Sequence, residues 1–222
     1  MALSRLNHWV WLIALLGTFS FGSFNLAAKE PQQLVTAKHL QQAEKKYGIL
    51  AKRRLQAWQA LINQYAQKPE RLVLQKVNNF FNQARFTNDI DLWKQSDYWA
   101  TPYEFLGIDA GDCEDFVIAK YFTLKAMGVD ESKLYLTYVK AVRLKQAHMV
   151  LTYFKTPKSI PLVLDNLTDQ ILKATQRKDL IPIYSFNGDG LWLSKQRGKG
   201  QAVSGGTDQL KNWNQLLQRM AP

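Results

Sequence analysis

Cys113 is the only cysteine in a chain of 222 residues, so its thiol has no internal disulfide partner. A thiol attacks a carbonyl carbon as the thiolate, which requires lowering a free pKa of about 8.5. Two devices do this, a helix N-terminus and a neighbouring imidazolium. Asp112 reads as an N-cap and Gly128 as a C-terminal stop, predicting a helix from about Cys113 to Met127. The cysteine then lies in the first turn, where its N–H lacks an intrahelical acceptor and can serve a developing oxyanion.

The imidazolium must come from one of three histidines. His8 lies in the apolar leader, and His39 stands beside Lys38 in a helical arm, where it reads as solvated. His148 falls in the alternating segment Ala147–Phe154, which puts His148, Val150, Thr152 and Phe154 on one strand face. Asp165 closes the apolar run Ile160–Leu164, and a buried carboxylate there needs a partner. The second ring nitrogen of His148 would supply one, fixing the tautomer. Asn166 is a weaker third member, and an Asx turn at Asp165 is the plain structural alternative. Helix start, strand and next strand would thus carry Cys113, His148 and Asp165, the parts for acyl transfer by a thiol. An inert buried cysteine and a structural strand histidine are the competing readings.

Gly111-Asp112-Cys113-Glu114-Asp115 brackets the thiol with three acids. Their bare charges oppose thiolate formation. Some of them simply suit a helix N-terminus. Crowded carboxylates with Asp109 nearby also suggest a bound hard cation, calcium before magnesium, although the spacing is not that of an EF-hand.

The surrounding elements follow from patterning. Residues 1–28 run basic, apolar, small and then polar, the layout of a secretory signal peptide. Export expected from that leader makes an unpaired cysteine read as one kept for its chemistry. No later segment is long and apolar enough to span a bilayer. Residues 29–222 are expected as one domain, with 29–86 a helical N-terminal part and 87–222 the core around the thiol. Apolar spacings of three to five over 34–66 predict helix, broken or kinked at Gly48, and Pro69 opens another. Residues 87–112 read as an irregular loop packed by its aromatics. Leu134–Val142, Ala147–Phe154, Pro161–Asn166, Ile183–Phe186 and Leu191–Leu193 read as strands, with a hairpin turn at Asn187–Gly190. Lys195–Gly206 reads as a basic surface loop and Asp208–Met220 as a last helix. Helices first and an antiparallel sheet second is an α+β layout.

The formal charge is +11, yet ten of the eighteen acids fall in 89–131 against three bases. The basic remainder suits an anionic membrane surface or an acidic protein. No nucleic-acid-binding motif accompanies the charge, so nucleic acid is not the expected partner.

Asp97-Tyr98-Trp99-Ala100-Thr101-Pro102, Gly111-Asp112-Cys113-Glu114-Asp115-Phe116, Ile118-Ala119-Lys120-Tyr121, Ala147-His148-Met149-Val150-Leu151 and Leu164-Asp165-Asn166 resemble the bacterial transglutaminase-like cysteine proteases of the LapG type. The resemblance runs from about Val77 to Tyr184. It implies a papain/transglutaminase-like fold and a periplasmic, calcium-dependent endopeptidase with Cys113, His148 and Asp165 as its triad. Asp112, Glu114 and Asp115 match the family's calcium ligands. The implied substrate is the N-terminal region of a large surface adhesin, cut after paired alanines to release it and disperse biofilm. The implied partner is an inner-membrane cyclic di-GMP receptor that sequesters the protease. A narrow pocket for small side chains would be shaped by Trp99 or Tyr103. A transglutaminase or amidase with the same triad is the nearest alternative, and an inactive periplasmic binding module is another.

Overall fold

Gly48 adopts φ +89°, a conformation that side chains resist, and it divides the N-terminal helical segment into α1 (Ala37–Tyr47) and α2 (Ile49–Tyr65). The computed structural model describes residues 31–193 and 200–220; the expected leader and part of the basic loop at 195–206 lie outside them. His39 is not a free solvated residue. It completes a capping box with Thr36 at the start of α1, and its ring rests on Tyr103.

Pro69 is the N-cap of α3 (Glu70–Phe81), so this helix starts one residue later than expected. β1 (Arg85–Phe86) precedes the stretch expected to be irregular, and that stretch contains α4 (Asp89–Trp93), α5 (Pro102–Ile108) and β2 (Ala110–Gly111). The signal for α5 is local: Thr101 and Glu104 form a capping box around Pro102 at the first helical position. β1 and β2 pair in parallel, which brings residues 85–89 beside the start of the next helix.

That helix, α6 (Cys113–Ala126), is buried on nearly every side, as expected of a helix apolar all round. It packs across α3, α5, β3 (Leu134–Ala141) and β4 (Gln146–Tyr153). Trp58 of α2 donates from Nε1 to Thr123 Oγ1 on α6 at 2.7 Å, tying the N-terminal helices to the core. The remaining strands are β5 (Leu162–Leu164), β6 (Leu172–Lys173), β7 (Leu180–Asn187), β8 (Gly190–Leu193) and β9 (Gln201–Ala202). Seven strands form one antiparallel sheet in the order β6-β5-β4-β3-β7-β8-β9.

A 3-10 turn at Gly206–Gln209 precedes α7 (Lys211–Met220), so the last helix starts later than its apolar pattern suggests. Trp213 of α7 enters the core against Tyr121, Phe122 and Phe186. The result is the expected α+β arrangement, with helices on one face of an antiparallel sheet. Among the described residues, no helix is long and apolar enough to cross a membrane.

Candidate active site and metal site

Three elements carry the expected residues, α6 with Cys113, β4 with His148 and the end of β5 with Asp165, and the structure brings His148 and Asp165 into direct contact. Cys113 occupies the first helical position and is half-buried. The backbone N–H of Met149 on β4 favours the thiolate, which sets the thiol beside the residue that follows His148. β5 pairs antiparallel with β4, Leu164 opposite Leu151, so Asp165 comes level with Val150 and on the face that His148 shares. His148 Nε2 lies 2.8 Å from Asp165 Oδ1, with the histidine 4 % and the aspartate 0 % exposed. The pair uses Nε2 and leaves Nδ1 as the remaining ring nitrogen.

Asp165 is held from further sides. Leu167 N–H donates to Oδ1 at 3.1 Å, and Arg177 Nη2 donates to Oδ2 at 2.7 Å. Burial alone would raise this carboxyl, but the hydrogen bond and charge of His148, the Leu167 N–H and Arg177 outweigh it and bring its pKa down to about 2. Arg177 also grips Asp179 through Nε and Nη2. Sequence reasoning missed Arg177. It lies in a basic stretch, Gln176-Arg177-Lys178, with no motif to separate it from solvated neighbours.

The acids around the thiol divide by helix geometry. Residues three apart share a helix face and residues two apart do not. Asp112 and Asp115 therefore meet, and the third member of their group is Asp89 from α4. One oxygen from each of Asp89, Asp112 and Asp115 lies within 4.8 Å of the others. Glu114, also expected among them, lies between this group and the nucleophile: its charge acts on Asp112, and its Oε2 accepts from Cys113 Sγ at 2.8 Å. Asp112 holds the N-cap position without making the expected cap hydrogen bond, because its carboxylate faces the cluster.

Asp89 Oδ2 accepts from Tyr98 N–H at 2.5 Å, and Asp115 Oδ1 accepts from Ala100 N–H at 2.7 Å. The opposite oxygens, Asp89 Oδ1 and Asp115 Oδ2, are buried with no hydrogen-bond partner, as is Asp112 Oδ1. Burial first, and then mutual repulsion and that of Glu114, raise Asp89 to about 6, Asp112 to about 10 and Asp115 well above its ordinary value. Three buried, unpartnered and mutually repelling oxygens are the donor set a hard cation takes. Burial, followed by the charge and hydrogen bond of Glu114, pushes the Cys113 thiol up as well. A cation among the carboxylates acts in the opposite direction.

No local signal marks Asp89, which is separated in sequence from Asp112 and reaches the site only through the β1–β2 pairing. Tyr103 does not shape a pocket here. Its hydroxyl donates to Leu34 O and its ring packs on His39 and Trp58. Trp99 is stacked on Phe186. The aromatic pair beside the thiol is Tyr138 with Tyr184, stacked at 5.0 Å, and Tyr138 feels the charges of Glu114 and Cys113.

The family model of the bacterial transglutaminase-like cysteine proteinases matches residues 52–194. Similar solved structures include Legionella pneumophila LapG, 42% identical over 86% of this chain and 100% of that one, with a TM-score of 0.72. The EGTA-treated form of the Legionella protein is 43% identical over 86% and 100% of the chains, with a TM-score of 0.73. Its calcium-bound form is 44% identical over 84% and 100%, with a TM-score of 0.72. No curated protein matches the chain by sequence. The family match spans most of the chain and the likeness to LapG nearly all the described residues: this chain belongs to the bacterial transglutaminase-like cysteine proteinases and is a cysteine protease.

Proposed function

We propose that this protease is a calcium-dependent endopeptidase in which Cys113 is the nucleophile, His148 the general base and acid, and Asp165 the residue that orients His148. The observation that carries this reading is the buried His148–Asp165 hydrogen bond at 2.8 Å, one residue from Met149, whose backbone N–H favours the Cys113 thiolate. His148 accepts the thiol proton at Nδ1 while Asp165 holds the imidazole at Nε2 and stabilises the imidazolium. The sulfur attacks the scissile carbonyl, and the Cys113 N–H at the helix start faces the developing oxyanion. His148 returns the proton to the leaving amine, and water then hydrolyses the acyl-enzyme.

Asp89, Asp112 and Asp115 are the proposed calcium ligands, with Glu114 on the thiol. Bound there, calcium supplies positive charge beside the start of α6 and a fixed geometry for its first turn. Support comes from the three unpartnered carboxylate oxygens and from the calcium-bound and EGTA-treated forms of the LapG relative.

The proposed setting is the periplasm, reached through the leader at 1–28. The proposed substrate is the N-terminal region of a large surface adhesin, cut at a paired-alanine site with release of the adhesin and dispersal of biofilm. An inner-membrane cyclic di-GMP receptor is the proposed sequestering partner. These points rest on the motifs shared with LapG-type proteases. Incubating the purified protein with adhesin N-terminal fragments, in calcium or in EGTA, tests the whole reading. Cleavage is expected in calcium only, and Cys113→Ala abolishes it. Cleavage by Cys113→Ala would remove the nucleophile assignment, and full activity in EGTA would remove the calcium requirement.

A further inference from the structure

Lys120 is 0 % exposed, a placement lysine almost never takes without a counter-charge. Yet its Nζ donates not to a carboxylate but to the amide oxygen of Asn82, at 2.7 Å. Lys120 follows Cys113 on α6 by two helical turns, about 10 Å, and so projects from the same face as the nucleophile. Asn82 caps the C-terminus of α3. Its Nδ2 donates to the carbonyl of Asp165 at 2.9 Å, and also reaches Thr168 O at 3.3 Å and Asp169 Oδ1 at 2.9 Å. Two further amides on the same stripe of α3, Gln75 and Asn78, donate to the carbonyl of Asp169. The turn carrying Asp165 is therefore gripped by α3, and α3 is linked through Asn82 to the helix of Cys113.

An amide presents a donor at one end and an acceptor at the other, and only its partners decide which way it points. We propose that Lys120 is a positioning residue for Asp165: by donating to Asn82 Oδ1 it turns Asn82 Nδ2 onto the Asp165 carbonyl, and so sets the His148–Asp165 pair relative to the helix of Cys113. This rests on the reading of those three residues as the triad. Without Lys120, Asn82 Oδ1 is left without its donor, the amide is held only by the acceptors around Nδ2, and the Asp165 turn loses its tie to α6.

The test is Lys120→Met in the full mature protein, with a cleavable adhesin fragment as substrate. Lys120→Met leaves Asn82 Oδ1 without its donor, at a cost of about 1–3 kcal/mol that lowers Tm by roughly 2–12 °C. kcat is expected to fall about 10- to 100-fold, the cost of an ångström-scale misplacement, with KM within about twofold. Alkylation of the single thiol by iodoacetamide, which needs no substrate, is expected to slow as well. Asn82→Asp keeps the acceptor for Lys120 but cannot donate to Asp165, and it is expected to show the same kcat loss even if Lys120→Met folds poorly. The double variant Lys120→Met/Asn82→Asp is expected to lose no more than either single one, since the two act as one unit. Wild-type kcat in either single variant, or losses that multiply in the double, overturns the proposal while leaving the triad intact. A wild-type protein that cleaves nothing and alkylates like a free thiol removes the triad reading and this inference with it.

Discussion

Replacing Arg177 by Met isolates the support beneath Asp165. Arg177 is 7 % exposed and donates to Asp165 Oδ2 at 2.7 Å, while His148 and Leu167 take Oδ1. Removing the guanidinium leaves half of a fully buried carboxylate without its partner. Two routes give the size of the loss. The Asp165 pKa lies at about 2 against an ordinary 3.8, and at about 1.4 kcal/mol per unit its partners together favour the ionised form by about 2.5 kcal/mol. Breaking a buried ion pair by deleting one partner costs about 3–5 kcal/mol. A loss of about 3 kcal/mol lowers Tm by roughly 6–12 °C in a domain of this size. The sign with pH follows from the lowered pKa. Stabilisation through Asp165 is full above the ordinary carboxylate value and is lost as pH falls from about 4 towards about 2. Thermal melts of wild type and Arg177→Met at pH 7, 5 and 3 should show a gap that is widest at pH 7 and 5 and narrows at pH 3. kcat should fall too, because Asp165 can no longer hold His148 in one orientation. A Tm gap below about 2 °C at pH 7, or a gap unchanged at pH 3, refutes the assignment of Arg177 as the counter-charge that holds Asp165.

Asp89→Asn is expected to weaken calcium binding at least about 10-fold by titration calorimetry, and more than Glu114→Gln does, since Asp89 and not Glu114 joins the three-carboxylate cluster. Glu114→Gln removes the charge that, after burial, most raises the thiol, so Cys113 should alkylate faster than wild type at neutral pH in EGTA. Gly111→Ala would put a Cβ 2.5 Å from Asp115 Oδ2 and 2.7 Å from the Phe105 ring, so it should lower both Tm and calcium affinity. Lys120 is drawn down by burial to about 7 from 10.5, so between those values the unfolded chain binds a proton that the folded chain does not. Wild-type stability relative to Lys120→Met should therefore rise with pH from 7 to 10, by up to about 1.4 kcal/mol per unit, and stay level below 7.

What could be read from the sequence was whatever is encoded locally. Gly48, Pro69 and Gly128 mark helix ends through backbone restriction alone, and alternation in Ala147–Phe154 gives the strand and the face of His148. The thiol at the start of a helix followed from Asp112 and the apolar run behind it. The helix at Pro102–Ile108 carried an equally local signal, a Thr101–Glu104 capping box, hidden among aromatics and acids that suggest a loop. Arg177, Asn82 and Lys120 had no such mark. Each looks like an ordinary surface residue until the sheet and α3 close around Asp165.

The acidic window shows how folding adds to what chain order suggests. Read along the chain, Asp112, Glu114 and Asp115 form one cluster, since all three flank the thiol. A helix sorts them differently: positions 112 and 115 share a face, and position 114 reaches the sulfur as well as Asp112. The cluster therefore lacks its third acid unless another element brings one. The parallel pairing of β1 with β2 supplies it by carrying the chain into α4, where Asp89 joins the other two. Glu114 lies on the sulfur and beside Asp112. The same helix start thus offers one carboxylate pair to the cation site and one carboxylate to the nucleophile. In the proposed reading, occupancy of the first would be coupled to the chemistry of the second through a single turn of backbone. A metal bound at three acids that merely flanked the cysteine would tune its charge. One that also ties α4 to α6 fixes the position of the cysteine, so calcium removal should loosen the β1–β2 segment and the start of α6 together. Hydrogen exchange in calcium and in EGTA reads this directly, and faster exchange confined to residues 112–115 would refute the coupling.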